Sequence, residues 1–141
     1  MSATTQRTIL IVDDEENLAR LLEMNLRRHG YRIVKAEDGV DGLKAAAEYK
    51  PDLIISDVNM PHVDGFEMLQ RLKADEELKD TPVIMLTARS RNEDLWHGVE
   101  SGAEYYVTKP VDLPGLINLV TKVFAERDAA GSSAPASEAA E

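Results

Sequence analysis

The segment Thr8-Ile9-Leu10-Ile11-Val12-Asp13-Asp14-Glu15-Glu16 decides the fold: a run of β-favouring, uncharged residues ends directly in four acids. A strand that is apolar on both faces must be covered on both faces, which places it at the centre of a parallel sheet. The pattern recurs along the chain. Leu53-Ile54-Ile55-Ser56 runs into Asp57, Val83-Ile84-Met85-Leu86 into Thr87, and Glu104-Tyr105-Tyr106-Val107 into Thr108-Lys109-Pro110. Tyr31 to Ala36 is a further β-rich run, but Arg32 and Lys35 interrupt it, so it reads as an edge strand.

The intervening segments have helical periodicity. Leu18, Leu21, Leu22 and Leu26 recur at helical spacing and stop at Gly30, while Leu113, Leu116, Ile117, Val120 and Phe124 mark the last helix. Asp38, Ser90 and Asp112 stand where N-caps belong, and Ser90 with Glu93 fits a capping box. Strand followed by helix, five times over, predicts an α/β fold: a doubly wound five-stranded parallel sheet with five helices on its two faces.

With 141 residues, 43% hydrophobic and 30% charged, the composition suits one globular domain with a substantial core. The net charge of −10 disfavours direct contact with nucleic acid or an anionic membrane surface. The chain has no cysteine, which excludes disulfides, thiolate metal sites and cysteine nucleophiles, and leaves the compartment open. No apolar run approaches the ~20 residues of a membrane span. Residues 1–6 read as a disordered N-terminus and 7–127 as the domain. Residues 128–141, small and polar with Asp128, Glu138 and Glu141 as their charges, read as a disordered tail or linker stump.

In open parallel sheets ligands bind beyond the carboxyl ends of the strands. Those ends carry Asp13-Asp14, Asp57, Thr87 and Thr108-Lys109. Carboxylates gathered there repel one another unless a cation shares the site. A hard divalent ion with oxygen ligands answers this, and Mg²⁺ is favoured because it is commonly held by one or two carboxylates, waters and a phosphate. Together Mg²⁺ and Lys109 would balance the charge of Asp13, Asp14 and Asp57. Each element also has an ordinary reading: Asp13 to Glu16 as an N-cap and acidic first turn, Thr87 as a strand end, Lys109 as a surface lysine. Asp57 caps no obvious helix. His29, His62 and His97 form no ligand spacing, and Trp96 reads as packing or a partner-surface anchor.

Taken together, Val12-Asp13-Asp14-Glu15, Ser56-Asp57-Val58-Asn59-Met60-Pro61 with Asp64-Gly65, Leu86-Thr87-Ala88, and Gly102-Ala103 with Tyr106-Val107-Thr108-Lys109-Pro110 resemble the receiver domain of two-component response regulators, of the chemotaxis type. The resemblance covers residues 7–127 and implies the flavodoxin-like strand order 2-1-3-4-5. It implies that Asp57 accepts a phosphoryl group from a histidine kinase or histidine phosphotransfer protein. Asp13, Asp57 and the backbone carbonyl of Asn59 would hold Mg²⁺, with Mn²⁺ as a substitute, and Asp14 would assist through metal-bound water. Lys109 would pair with the phosphoryl oxygens, and the Lys109-Pro110 peptide would be cis. Thr87 and Tyr106 would be the switch residues. Their movement would remodel the face made by the fourth helix, fifth strand and fifth helix, where a downstream protein would dock.

The resulting expectation is a cytoplasmic, stand-alone response regulator that works by protein contact as a phosphoacceptor switch, not as an enzyme. It would promote its own phosphorylation and slow dephosphorylation, and phosphorylation-dependent dimerisation stays open. The alternative is a receiver fragment of a longer regulator with a separate output domain. Val111 after Lys109-Pro110 disfavours a winged-helix regulator. A haloacid-dehalogenase-type phosphatase is disfavoured because Asn59 stands where its acid/base aspartate belongs. A flavodoxin is disfavoured because Asp13 to Glu16 would repel the FMN phosphate.

Overall fold

A computed structural model describes residues 6–58, 63–87 and 103–133. Its strands are β1 (Thr8–Val12), β2 (Arg32–Ala36), β3 (Leu53–Asp57), β4 (Val83–Thr87) and β5 (Tyr105–Thr108). They form one sheet of order β2-β1-β3-β4-β5, parallel throughout. This is the flavodoxin-like order, with the interrupted strand β2 at an edge as its charges required. Helices α1 (Glu16–Arg28), α2 (Gly39–Tyr49) and α3 (Gly65–Lys73) connect the strands, and a C-terminal helix spans Leu113–Ser133. Four of the five expected helices therefore fall among the described residues. The helix expected from Ser90, with its capping box to Glu93, lies outside them, as do Asn59, His62, Trp96 and His97.

Alternation along the strands explains the two layers of the core. Leu10 and Val12 of β1, Ile54 of β3 and Val83 and Met85 of β4 share one buried cluster with Ala46 of α2 and Met68, Leu69 and Leu72 of α3. Helix α1 lies along β1 and β2 and buries Ala19, Leu22 and Leu26 outside that cluster, on the side to which Ile9 and Ile11 point. The apolar residues of β1, β3 and β4 are almost wholly buried, whichever face they point to.

Local chemistry fixes the ends. Gly30 adopts φ +92°, a left-handed conformation with no Cβ penalty, so α1 stops after Arg28 and the chain turns into β2. Asp38 caps α2 by accepting from the Asp41 N–H at 2.9 Å, and Asp64 caps α3 by accepting from the Glu67 N–H at 2.9 Å. Asp112 precedes the last helix and its carbonyl accepts from the Leu116 N–H. That helix continues to Ser133, past the boundary at Arg127 where the sequence suggests a disordered tail. Alanine is the strongest helix former, and extending an existing helix avoids the cost of nucleation. Residues 1–5 and 134–141 lie outside the described residues. Two compact units are distinguished, Met1–Val111 and Asp112–Glu141; the sheet, α1 to α3 and every side chain discussed below belong to the first.

Candidate functional site

Because the strands are parallel, their carboxyl ends share one edge of the sheet. Val12 is in register with Ser56, Asp57 with Leu86, and Thr87 with Thr108. Asp13 and Asp14 therefore leave β1 beside the end of β3, which carries Asp57, while Lys109 follows β5. The order of strands reverses between β1 and β3, and a crevice opens at such a switch point.

One ligand oxygen from each of Asp13, Asp14 and Asp57 can be chosen so that all lie within 4.8 Å of one another. Asp13 and Asp57 are buried, and Asp14 is exposed. Lys109 reaches in from the β5 side: its Nζ stands 3.5 Å from Asp13 Oδ2, 3.4 Å from Asp57 Oδ2 and 3.4 Å from Glu15 Oε1. The Lys109 N–H also donates to the Thr87 carbonyl, tying the loop after β5 to the end of β4. The Lys109-Pro110 peptide is cis, as the resemblance implied.

The electrostatics are dominated by burial. Burial raises the Asp13 pKa, opposed but not cancelled by the Glu15 N–H, which donates to Asp13 Oδ1 at 2.8 Å, and by the charge of Lys109. For Lys109 burial acts to lower the pKa, but the carboxylates of Asp57, Asp13 and Glu15 outweigh it and hold the ammonium above the ordinary lysine range. Asp13 Oδ2 is buried without a hydrogen-bond partner. An under-satisfied, acceptor-only carboxylate oxygen beside two further carboxylates suits a hard cation with oxygen ligands, so the residues fit Mg²⁺.

Among the described residues two more buried side-chain atoms lack partners, the Thr87 hydroxyl and the Tyr106 hydroxyl. Thr87 ends β4 and is 1% exposed. Tyr106 sits one strand away on β5, where burial raises its pKa and its hydroxyl lies near the Ala103 backbone without a formed hydrogen bond. A hydroxyl that lacks a partner in a buried position is ready to bond a new acceptor. The structure thus brings Asp13, Asp14, Asp57 and Lys109 together and leaves Thr87 and Tyr106 with free hydrogen-bonding capacity on the neighbouring strands. The Asn59 carbonyl lies outside the described residues.

Sequence reasoning quotes Gly65 and Glu15 only within the motifs and the acidic first turn, and assigns neither a role at the site. A Cβ on Gly65 would overlap the Asp57 carbonyl and press on the Val58 Cα, and the Gly65 N–H donates to the Val58 carbonyl at 2.9 Å. Glycine there lets the start of α3 close against the backbone that carries Asp57. Its signal in the sequence is its place in the Asp64-Gly65 pair, eight residues after the acid. Ser56 adds a buried bond from its hydroxyl to the Asp57 carbonyl.

Residues 9–121 match the response regulator receiver domain family. The chain is 38% identical to Protein PilH of Pseudomonas aeruginosa over 117 residues, covering 83% of this chain and 97% of PilH. It is 40% identical over 130 residues to the DNA-binding dual master transcriptional regulator RpaA of Synechocystis, covering 92% of this chain and 54% of RpaA. The chain spans about half the length of several curated relatives, RpaA among them. Among solved structures it superposes on the chemotaxis response regulator CheY4 of Vibrio cholerae with a TM-score of 0.80 and 33% identity, covering 84% of this chain and 99% of that one. Among the described residues no helix is long and apolar enough to cross a membrane. Strand order, acidic cluster and sequence likeness agree: the chain belongs to the response regulator receiver domain family.

Proposed function

We propose that Asp57 accepts a phosphoryl group from a histidine kinase or histidine phosphotransfer protein and that the modified domain signals by a change of conformation. The observation that carries this reading is the convergence of Asp13, Asp14 and Asp57 with the Lys109 ammonium at the carboxyl edge of the sheet. Receiver domains are phosphoacceptor switches that bind Mg²⁺ at an acidic pocket, and the donor set here suits that ion.

Phosphoryl transfer spreads charge over equatorial oxygens, so the protein's part is positioning and cationic stabilisation. Asp57 supplies the attacking oxygen from a rigid strand end. Lys109, held between carboxylates, supplies a positive charge within reach of the oxygens that would be added to Asp57. Asp13 and Asp14, with Asp57 and the Asn59 carbonyl, would hold Mg²⁺ (or Mn²⁺), which when bound neutralises charge on the incoming phosphoryl group. Thr87 would donate its unpartnered hydroxyl to a phosphoryl oxygen, and Tyr106 would follow into the space behind it. A bond available in only one conformer shifts the population toward that conformer. A downstream protein is then expected to read a face that includes β5, the strand that carries Tyr106.

The coverage of PilH almost from end to end favours a stand-alone switch. The half-length match to RpaA supports the second reading, a receiver portion of a longer regulator. A cytoplasmic location follows from a kinase-borne donor. The test is incubation with a small phosphodonor, with Mg²⁺ or with chelator, followed by intact mass. One Mg²⁺-dependent phosphoryl adduct on the parent and none on Asp57→Asn is the expected outcome; an equal adduct on both would end the proposal.

A further inference from the structure

Glu15 occupies the N-cap of α1, yet its carboxylate caps nothing. N-caps are ordinarily Asp, Asn, Ser or Thr, whose short side chains reach the free N–H groups of the first turn. Here Asp13 makes the local bond, accepting from the Glu15 N–H. The Glu15 side chain turns instead toward Lys109, with Oε1 3.4 Å from Nζ. Lys109 thus faces three carboxylates at nearly equal distance, of which the Asp13 and Asp57 side chains are 0% and 6% exposed and the Glu15 side chain is 59% exposed. Glu15 also lines, with Leu18, Lys109, Pro110 and Val111, an open groove of about 440 Å³. A donor that reaches Lys109 through this groove passes the Glu15 carboxylate.

We propose that Glu15 is a specificity-determining residue for phosphoryl donors, disfavouring small donors that carry a full dianion relative to donors whose leaving nitrogen carries a compensating positive charge. This rests on the phosphoacceptor reading of Asp57. In the transfer a carboxylate oxygen of Asp57 forms the new O–P bond. With acetyl phosphate the P–O bond to the acyl group breaks and acetate leaves with the electron pair. With phosphoramidate the P–N bond breaks and ammonia leaves, its nitrogen already protonated. A protonated phosphoimidazole leaves likewise as neutral imidazole. Glu15 forms no bond in these steps. It acts on the charge of the approaching donor, and this separates it from Lys109, which serves every donor alike.

Removing one charge at this rim changes the encounter with each unit of donor charge by roughly two- to threefold at low ionic strength. Screening erodes the effect once the Debye length falls to about 10 Å or below. The experiment compares the parent chain, Glu15→Gln and Glu48→Gln in saturating Mg²⁺, with acetyl phosphate and phosphoramidate, reading the rate of adduct formation by quenched intact mass. Glu48 is an exposed acid on α2 that lines neither the groove nor the carboxylate cluster. Glu15→Gln is expected to speed acetyl phosphate at least twofold more than phosphoramidate, with the gap closing in high salt and absent from Glu48→Gln. Equal changes with both donors, no change, or the same gap in Glu48→Gln would overturn the inference. If the parent accepts phosphoryl from neither donor, the Asp57 reading and this inference fall together; if the parent accepts and the donor gap is missing, only the inference falls.

Discussion

Replacing Asp13 by asparagine is expected to stabilise the metal-free protein while weakening its function. Asp13 is 2% exposed and its Oδ2 has no hydrogen-bond partner. Burial raises its pKa above the ordinary 3.8. A carboxyl raised in the folded state contributes stability that is fully present below the unfolded pKa and is lost as pH rises through the folded pKa. At neutral pH the ionised group is therefore a net cost. Asp13→Asn keeps the shape and an oxygen that can accept from the Glu15 N–H, and it removes the charge. The new Nδ2 is a donor beside the Asp14 and Asp57 carboxylates, where Oδ2 was an acceptor without a partner, and an unsatisfied buried polar group costs about 1–3 kcal/mol. Losing the 3.5 Å contact with Lys109, which retains Asp57 and Glu15, offsets about 0–1 kcal/mol. With the middle of each range the net gain is about 1.5 kcal/mol, or roughly 3–8 °C in Tm for a domain of this size. Denaturant and thermal melts at pH 7 in chelator check it, followed by the same melts in Mg²⁺. An ion that binds only the folded parent adds about 2.7 kcal/mol at a hundredfold excess over its Kd, so the order of stability reverses when Mg²⁺ is present. A less stable variant in chelator, or an equal gain from Mg²⁺ in both proteins, would refute the reasoning.

Other perturbations reach different parts of the account. Lys109→Met removes the ammonium that faces Asp57 and is expected to slow adduct formation by about 10²-fold in saturating Mg²⁺, measured by quenched intact mass. Gly65→Ala pushes a methyl group against the Asp57 carbonyl; it should destabilise by about 1–3 kcal/mol in urea melts and slow phosphorylation as well. Glu23 has its pKa lowered chiefly by the hydrogen bond from Lys35, with Arg27 adding to it. The stability it contributes is present above the unfolded pKa and lost as pH falls through the folded pKa. Glu23→Gln is therefore expected to lower stability at neutral pH and to flatten the acid limb of a stability profile below about pH 4.5.

Most of the fold was legible because it rests on residue type and periodicity. The uncharged runs of β1, β3 and β4 require cover on both faces, and the charges of β2 demand an edge; both follow without coordinates. The strand-end acids were legible for the same reason, since a parallel sheet gathers its carboxyl ends. Side-chain direction was not legible. Asp13 to Glu16 read equally well as an N-cap with an acidic first turn, and part of that reading stands: Glu16 is in the first turn of α1 and Glu15 is at the cap. Only geometry shows that Glu15 leaves the turn for Lys109 and that Asp13 Oδ1 takes over the local bond. The role of Gly65 was hidden, although the residue stands in the quoted motif, because a glycine's importance lies in what a Cβ would strike. The extent of the last helix beyond Arg127 was missed because composition alone does not distinguish a solvated tail from a helix propagating out of a formed one.

The central claim is that the phosphoryl group resides on Asp57, and the most direct measurement locates it chemically. Borohydride reduces an acyl phosphate of aspartate to homoserine, and peptide mass then reads the altered position in protein treated with phosphodonor and Mg²⁺. Conversion at Asp57 in the treated sample, and at no residue in a chelator control, is the predicted result. Conversion at Asp13, Asp14 or any other position, or none in the presence of Mg²⁺, would contradict the account.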